Sequence, residues 1–459
     1  MEAERIRQLN GEPAAEGGYV LYWMQQAQRA SFNHALEHAI RIANGCGQGV
    51  VVGFGLTDGY PDANLRHYRF MLEGLQETAA TLARRGIPFV LRQGDPAEVA
   101  LQLAAEASVV VCDKGYLRHQ RSWRERVAKD AGRQVVEVEG EVVVPVALAS
   151  DKAEIGARTL RPRILRLREE FLQPLEEERL RISTAGPRSQ DDLDAADVDG
   201  ILGQLRIDRS VPPSARFRGG TGQARRRLEA FLENRLGGYA TGRNEPVAQQ
   251  TSTLSPYLHF GQISPVEVAL AGAAARPPGD ADRSSFLEEL IVRRELSHNF
   301  VTHNPAYDSF DGLPRWARAT LDKHRKDRRE YLYGMDELEA GQTHDPYFNA
   351  AMREMRLTGF MHNYMRMYWG KKILEWSPTP EEAYATTLRL NNRHFLCGRD
   401  PNSYANVAWL FGQHDRPWVE RPIFGQVRYM NDKGLERKFD IKAYARWTED
   451  LEALSSEHR

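Results

Sequence analysis

At 459 residues, with a formal net charge of −1, 41% hydrophobic and 27% charged residues, the chain has the make-up of a globular protein long enough for two cores, and disordered or collagen-like classes do not fit it. No run approaches the ~20 consecutive apolar residues of a membrane helix. The first twenty residues, with Glu2, Glu4 and Glu16, lack a signal-peptide pattern, so a cytoplasmic location without a membrane partner is expected.

Three scattered cysteines, Cys46, Cys112 and Cys397, argue against a disulfide framework and a zinc knuckle, and no metal site is expected. Basic and acidic residues nearly cancel overall, but residues 416–446 carry eight basic against four acidic side chains. That excess is open to two readings, a nucleic-acid footprint or a solvated charge run.

In chain order, Val20-Leu21-Tyr22-Trp23, Val50 to Phe54, Pro88 to Leu91, Val109 to Cys112 and Val135 to Val138 are apolar, largely β-branched runs of strand length. Helical patterns at 30–44 and 64–85 separate them. Strands recurring after helices predict parallel βαβ units, hence a doubly wound, Rossmann-like α/β domain over 1–150. It has no G-x-G-x-x-G phosphate loop. Residues 151–210 are charged helix and loop and read as an interdomain connection. From 211 to 459 amphipathic patterns at 223–236, 265–275, 285–300, 349–376 and 379–390 predict an all-α domain.

Four segments carry chemistry. In Thr251-Ser252-Thr253-Leu254-Ser255-Pro256-Tyr257-Leu258-His259-Phe260-Gly261, proline suits the first helical position and Ser255 is the expected N-cap. Free N–H groups and hydroxyls there suit a pyrophosphate, or are simply capping residues. In 285–296, Leu287, Leu290 and Ile291 form a buried stripe, leaving Glu289 and Arg293 four apart to line a cavity or to pair. In 361–376, Asn363, Arg366 and Met367 share a helical face, and Trp369 and Trp376, seven apart, stand ~10 Å apart along the axis. Such tryptophans form core, or a route for an electron. The fourth segment, 390–418, is rich in glycine, amides and charge, as a ligand-contacting or a surface loop is.

In this order and spacing the four segments resemble the flavin-binding half of the photolyase and cryptochrome family. Tyr22-Trp23-Met24-Gln25-Gln26-Ala27-Gln28-Arg29, Ala157-Arg158-Thr159-Leu160-Arg161-Pro162, Met365-Arg366-Met367-Tyr368-Trp369, Lys371-Lys372-Ile373-Leu374-Glu375-Trp376 and Gly398-Arg399-Asp400-Pro401-Asn402 are similar to class II cyclobutane-pyrimidine-dimer photolyases. The resemblance implies an FAD-dependent enzyme that repairs ultraviolet-damaged double-stranded DNA under light. An antenna chromophore of deazaflavin or folate type is left open, and a monomer is expected.

It further implies FAD contacts from Tyr239, Thr251, Ser252, Thr253, Leu254, Ser255, Phe286 and Arg294, with Asn363, Arg366 and Asn391 beside the flavin ring and Asp400 and Asn402 closing over it. Glu289, Met367 and Trp409 match lesion-pocket positions, Trp369 and Trp376 an electron relay, and Arg243, Arg416 and Arg428 DNA contacts. Three residues depart from the pattern. Cys397 stands where the subfamily has an aspartate facing Arg366, Arg293 where some members have a tryptophan, and Phe348 where the relay has its intermediate tryptophan. Two other functions stay open: a cryptochrome-like photoreceptor, disfavoured by a chain that ends twelve residues after Trp447, and a nucleotide-binding α/β protein with a helical interaction domain.

Overall fold

The computed structural model describes residues 1–457, with side chains to residue 453. Its first half is a six-stranded sheet in the order β1-β6-β5-β2-β3-β4, built from Ile6–Gln8 (β1), Tyr19–Trp23 (β2), Gly49–Leu56 (β3), Phe89–Gln93 (β4), Ala107–Asp113 (β5) and Gln134–Val138 (β6). All neighbours are parallel except β1 with β6. The central strands β2, β3 and β5 are buried throughout, which is why their sequences read as near-continuous apolar runs rather than alternations. The edge strand β1, Ile6-Arg7-Gln8, is half exposed and carries too little apolar signal to be read from sequence.

Helices His34–Cys46, Leu65–Arg84 and Pro96–Ala104 start at Asn33, Asn64 and Asp95, whose side chains accept from first-turn N–H groups. The sheet order reverses between β2 and β5, where ligand sites of open α/β sheets form. There the buried Asp113 carboxylate accepts the backbone N–H groups of Gln25, Gln26 and Ala27, each at 3.0 Å, and is held by Arg124 at 2.7 Å. One carboxylate thus shapes the loop that follows β2.

The second half is helical, with two apolar cores. The expected helix at 349–376 is two helices, Pro346–Thr358 and Asn363–Trp376, because Gly359 takes φ 72° and ends the first. Within 151–210, helix Ala157–Phe171 buries Leu160, Ile164 and Phe171 in the helical half, whereas Val198, Ile201 and Leu202 pack on the α/β half.

The halves are locked together. Arg66, fully buried, donates to the carbonyls of Pro212, Met355, His394 and Arg356. Arg29 pairs with Glu141 at 2.7 Å and donates to the Gly261 carbonyl at 2.8 Å. Between the halves lies a cavity of about 70 Å³ lined by Gln26, Tyr60, His67, Trp123, His259 and Arg399, among others.

Candidate flavin and DNA site

The chain before Pro256 forms an anion-binding shape. Thr253 is left-handed, φ 55°, and Leu254 right-handed, φ −85° and ψ −8°. That alternation turns successive backbone N–H groups into a concave nest. A threonine at positive φ is strained and persists only where packing dictates it. Here Thr253 is buried and Arg227 Nη1 donates to its hydroxyl at 3.3 Å. The expected Ser255 cap is corrected: Leu254 occupies the N-cap and Ser255 is the first residue of helix Ser255–His259, without a side-chain cap. The turn starts one residue early because Leu254 is already right-handed. Among the described residues, the hydroxyls of Thr251, Ser252 and Ser255 have no protein hydrogen-bond partner.

Arg294 is nine-tenths buried; its Nη1 donates to the Glu141 carbonyl at 2.6 Å while its Nε has no partner. Asp400 is the N-cap of helix Pro401–Leu410 and accepts from Ser403 N at 2.9 Å and from the Asn402 amide at 3.4 Å. Burial pushes the Asp400 carboxyl up, and the Ser403 N–H and the Arg294 charge pull it back. Hydroxyls, a backbone nest and a buried guanidinium N–H, all without protein acceptors, fit the diphosphate of FAD. Tyr239 and Phe286 meet edge to face at 5.7 Å, both against Phe231. Burial, then the Glu289 charge, raises the Tyr239 phenol.

On the second face, Arg366 donates Nε to the Met361 carbonyl at 2.9 Å, and both terminal nitrogens reach the Cys397 sulfur at 3.5 Å. Its guanidinium lies 3.8 Å from the Phe395 ring centre. The Arg366 partner here is therefore a thiol and an aromatic face rather than a carboxylate. Asn391 is buried and donates to Asn392 Oδ1 at 3.1 Å, which also accepts from Arg399 N at 3.1 Å. A Cβ on Gly398 would stand 2.9 Å from the Asn391 carbonyl oxygen, so this turn requires glycine. Asn363 is exposed at the start of its helix, next to the capping His362, and Met367 is half-buried.

Residues Glu288–Arg293 form a π-helix between Asp280–Leu287 and Arg294–His303, a feature that gathers at functional sites. Its wider turn removes the expected Glu289–Arg293 facing. Glu289 pairs with Arg243 at 3.0 Å, and Arg293 with Glu288 at 3.3 Å, itself bound by Arg161 at 2.7 Å. Both pairs are part-exposed.

Trp409 lies under two cations, Lys371 Nζ at 5.7 Å and the Arg428 guanidinium at 5.4 Å. Arg428 also stacks on Trp418 at 4.2 Å, and Arg416 on Trp418 at 5.2 Å. Asp415 fixes the array, holding Arg428 at 2.9 Å and the Trp418 indole N–H at 3.4 Å. Lys371 is buried, donates to the Leu410 carbonyl, and is pushed down to about 7 by burial. Lys371 and Asp415 carry no sequence signal that separates them from ordinary helix and loop charges.

Trp369 and Trp376 are buried. Trp369 Nε1 lies 3.0 Å from the Met352 sulfur, one helical turn beyond Phe348, and Phe348 meets Trp376 at 5.2 Å. Trp376 continues to Tyr333 at 5.4 Å and His344 at 5.1 Å, and His344 stacks on exposed Tyr331 at 3.8 Å. This aromatic exit to solvent spans three separate segments, so no sequence window contains it.

Residues 20–180 match the family model described as DNA photolyase, and residues 286–372 the one described as FAD binding domain of DNA photolyase. The deoxyribodipyrimidine photo-lyase of Methanothermobacter thermautotrophicus is 48% identical over 97% of this chain and 98% of its own. That of Arabidopsis thaliana is 39% identical over 96% and 91%. A class III photolyase structure from Agrobacterium tumefaciens superposes with TM-score 0.76 at 22% identity, covering 95% of this chain and 87% of that one, which supports the fold. With relatives this similar along almost its whole length, the chain belongs to the DNA photolyase family, the photolyase model falling on the sheet half and the segment after it, and the FAD-binding model on part of the helical half.

Proposed function

We propose that the protein is a class II photolyase that splits cyclobutane pyrimidine dimers in DNA under blue or near-ultraviolet light. The observation that carries the reading is the Glu289–Arg243 pair at 3.0 Å beside the flavin-side helices, together with Trp409 held under Lys371 and Arg428. A carboxylate can accept from a pyrimidine N–H edge, and an indole can pack against an extruded base. When bound, reduced FAD supplies on excitation the single electron that opens the cyclobutane ring and recovers it afterwards.

The protein's own part is to bind, orient and dry the lesion. A dimer inside a duplex is out of reach and must be flipped, at a cost lowered by its weakened pairing and stacking. Arg416 and Arg428 neutralise phosphate and hold the opened duplex. Asn391 is a fixed amide for the ring-facing side of the pocket, and Arg366 a fixed cation whose hydrogen bonds go to a carbonyl and a thiol, with the buried Glu354 carboxyl within electrostatic reach.

The test is incubation of the reduced holoprotein with irradiated oligothymidine, following recovery of the thymine absorbance. Recovery in light alone is expected, and equal recovery in the dark would refute the proposal. A photoreceptor without repair would keep the flavin and give no recovery in either condition.

We infer that the interdomain cavity is where an antenna chromophore would dock, after widening from about 70 Å³ to the ~300 Å³ or more that such a ligand needs. Arg399 is buried, its Nε has no partner, and its guanidinium lies 6.0 Å from the Tyr60 ring centre. A buried cation without a carboxylate partner favours a ligand with anionic character, as a deazaflavin or a folate has. Purified protein should then show absorbance beyond that of FAD, and Arg399→Leu should lose it while retaining FAD.

A further inference from the structure

We propose that His324 is a positioning residue for DNA binding: as an imidazolium it latches the loop that carries Arg416, Trp418 and Arg428 to the helical half, and without its proton the latch loosens. The functional consequence rests on the damaged-DNA reading above, whereas the latch itself is a matter of which groups His324 holds.

His324 follows helix Arg315–Lys323 as its C-cap, an end where the helix dipole favours a cation. Its two ring nitrogens meet two carboxylates, Nδ1 with Asp327 Oδ2 at 2.6 Å and Nε2 with Glu420 Oε1 at 2.7 Å. A neutral imidazole has one N–H and one lone pair, so only the protonated ring donates to both. The hydrogen bond to Glu420, then that to Asp327, hold its pKa above the ordinary histidine value. The other charges at this corner are Lys323, which also pairs with Glu420 at 2.6 Å, and Arg329, within electrostatic reach of Asp327. Nearby Arg325 is taken up by Asp322 and Glu381.

Both carboxylates anchor the loop. Asp327 Oδ2, the oxygen that meets His324, also accepts the Ile423 N–H at 2.8 Å, and one turn back Thr320 Oγ1 accepts the Gln426 N–H at 2.9 Å. Ile423 takes φ 67°, a left-handed backbone that a β-branched residue adopts only where its surroundings impose it. Here they are the Asp327 bond and the burial of Ile423 and Phe424 in the helical core. From this turn the chain doubles back on itself. Arg421 and Gly425 exchange backbone hydrogen bonds at 2.9 and 2.8 Å, and the Trp418 N–H donates to the Gln426 carbonyl at 2.8 Å. Trp418 is thereby held where Arg416 and Arg428 stack on it. A neutral His324 turns a lone pair on one of its two carboxylates, either the one that holds Ile423 or the one that belongs to the loop. Lys323 still holds Glu420, so the latch loosens rather than opens.

Because the folded value is raised, the latch is complete below the ordinary histidine pKa of ~6.5 and is lost as pH rises through the folded value. Dissociation constants for a duplex containing one cyclobutane dimer are measured in the dark from ~pH 6 to ~pH 9, on either side of that window, for wild-type holoprotein, His324→Arg and His324→Gln. Arginine keeps its charge and can donate to both carboxylates, so His324→Arg should match wild type at low pH. As pH rises, wild type should fall about fivefold behind His324→Arg, the scale of one part-exposed ion pair. His324→Gln, with no charge to lose, should be about fivefold weaker than His324→Arg throughout.

Hydrogen exchange across 418–427, compared at each pH, should quicken with rising pH in wild type relative to His324→Arg. FAD content should be equal in all three proteins. Parallel pH profiles for wild type and His324→Arg, or exchange that does not separate them, overturn the latch. Wild type that prefers damaged over intact duplex at no pH overturns the damaged-DNA reading, and the exchange difference then decides the latch by itself.

Discussion

Trp409 has the Arg428 guanidinium over its ring, fixed from behind by Asp415, and the buried Lys371 amine on the same ring. Removing the indole takes away a surface that matters only when bases are extruded. Trp409→Ala should therefore lose ~1–3 kcal/mol of affinity for lesion-containing DNA and almost none for intact duplex. Equal losses on both would show that Trp409 acts on the duplex as a whole. Arg416→Ala and Arg428→Ala should instead weaken damaged-duplex binding and flatten its salt dependence while single-turnover repair at saturating enzyme persists. A collapse of that turnover would place them in the chemistry.

Lys371 gives a pH prediction of its own. Folded, it titrates at about 7 because burial disfavours the ammonium, whereas an unfolded lysine titrates at ~10.4. Between those values the unfolded chain binds a proton that the folded chain lacks, so stability rises with pH across this window, and the penalty is complete below it. Lys371→Met should flatten the urea midpoint between these pH values relative to wild type. An unchanged slope in the variant would show that Lys371 keeps its proton when folded.

At the scale of elements, the strands were legible because strands buried on both faces leave continuous apolar runs, and the helical half because its amphipathic period is long and repeated. The π-helix Glu288–Arg293 was not legible. Its sequence keeps an ordinary helical pattern, and only the folded backbone shows the wider turn, which pairs Arg293 with Glu288 five residues back and leaves Glu289 to Arg243. The backbone at Thr253 was hidden for a similar reason: nothing in a Thr-Ser-Thr run announces a positive φ, so the cap was expected one residue too late.

The aromatic chain shows the same division between the legible and the hidden. Trp369, Phe348 and Trp376 were visible as single residues, but Tyr333, His344 and Tyr331, which carry the chain to solvent, come from elsewhere in the sequence. Phenylalanine is much harder to oxidise than tryptophan, so if Trp369 and Trp376 form the proposed relay, Phe348 should interrupt hole transfer between them. Tyr347, the neighbouring alternative, has its phenol bound to Glu436 at 2.5 Å, whereas Tyr333 lies directly on Trp376. Photoreduction of the bound flavin should be slow in wild type, faster in Phe348→Trp, and absent in Trp369→Phe, while repair by chemically reduced protein persists in all three. Rapid wild-type photoreduction that Phe348→Trp leaves unchanged would mean that a different relay operates.

The whole molecule depends on a junction that composition could not announce. Splitting the chain into an α/β half and a helical half implies two separable bodies, yet Arg66, Arg29, His67 and Gln262 each cross from one half to the other with hydrogen bonds to backbone carbonyls. Backbone acceptors leave no complementary side chain to find in the sequence, which is why the junction is visible only when folded. Its tightest point is Gly261, which takes φ 62° and approaches the Gln26 main chain so closely that a Cβ would lie 1.8 Å from that carbonyl oxygen.

An alanine there is strained twice. Left-handed backbone costs a non-glycine residue ~1–2 kcal/mol, and the collision with main chain that has no rotamer to give adds ~1–3 kcal/mol as overpacking. Gly261→Ala should consequently lower the unfolding midpoint and open the junction rather than either core. His259 and Phe260 line the interdomain cavity, whereas Thr251 to Ser255 are the proposed diphosphate contacts, so the variant should lose any chromophore held between the halves before it loses FAD. Thermal unfolding followed by both flavin fluorescence and sheet circular dichroism distinguishes the cases: one shared transition in wild type, separated transitions in Gly261→Ala. If the variant keeps a single transition at the wild-type midpoint, the main chain at Gln26 yields freely and the junction is not what couples the two halves.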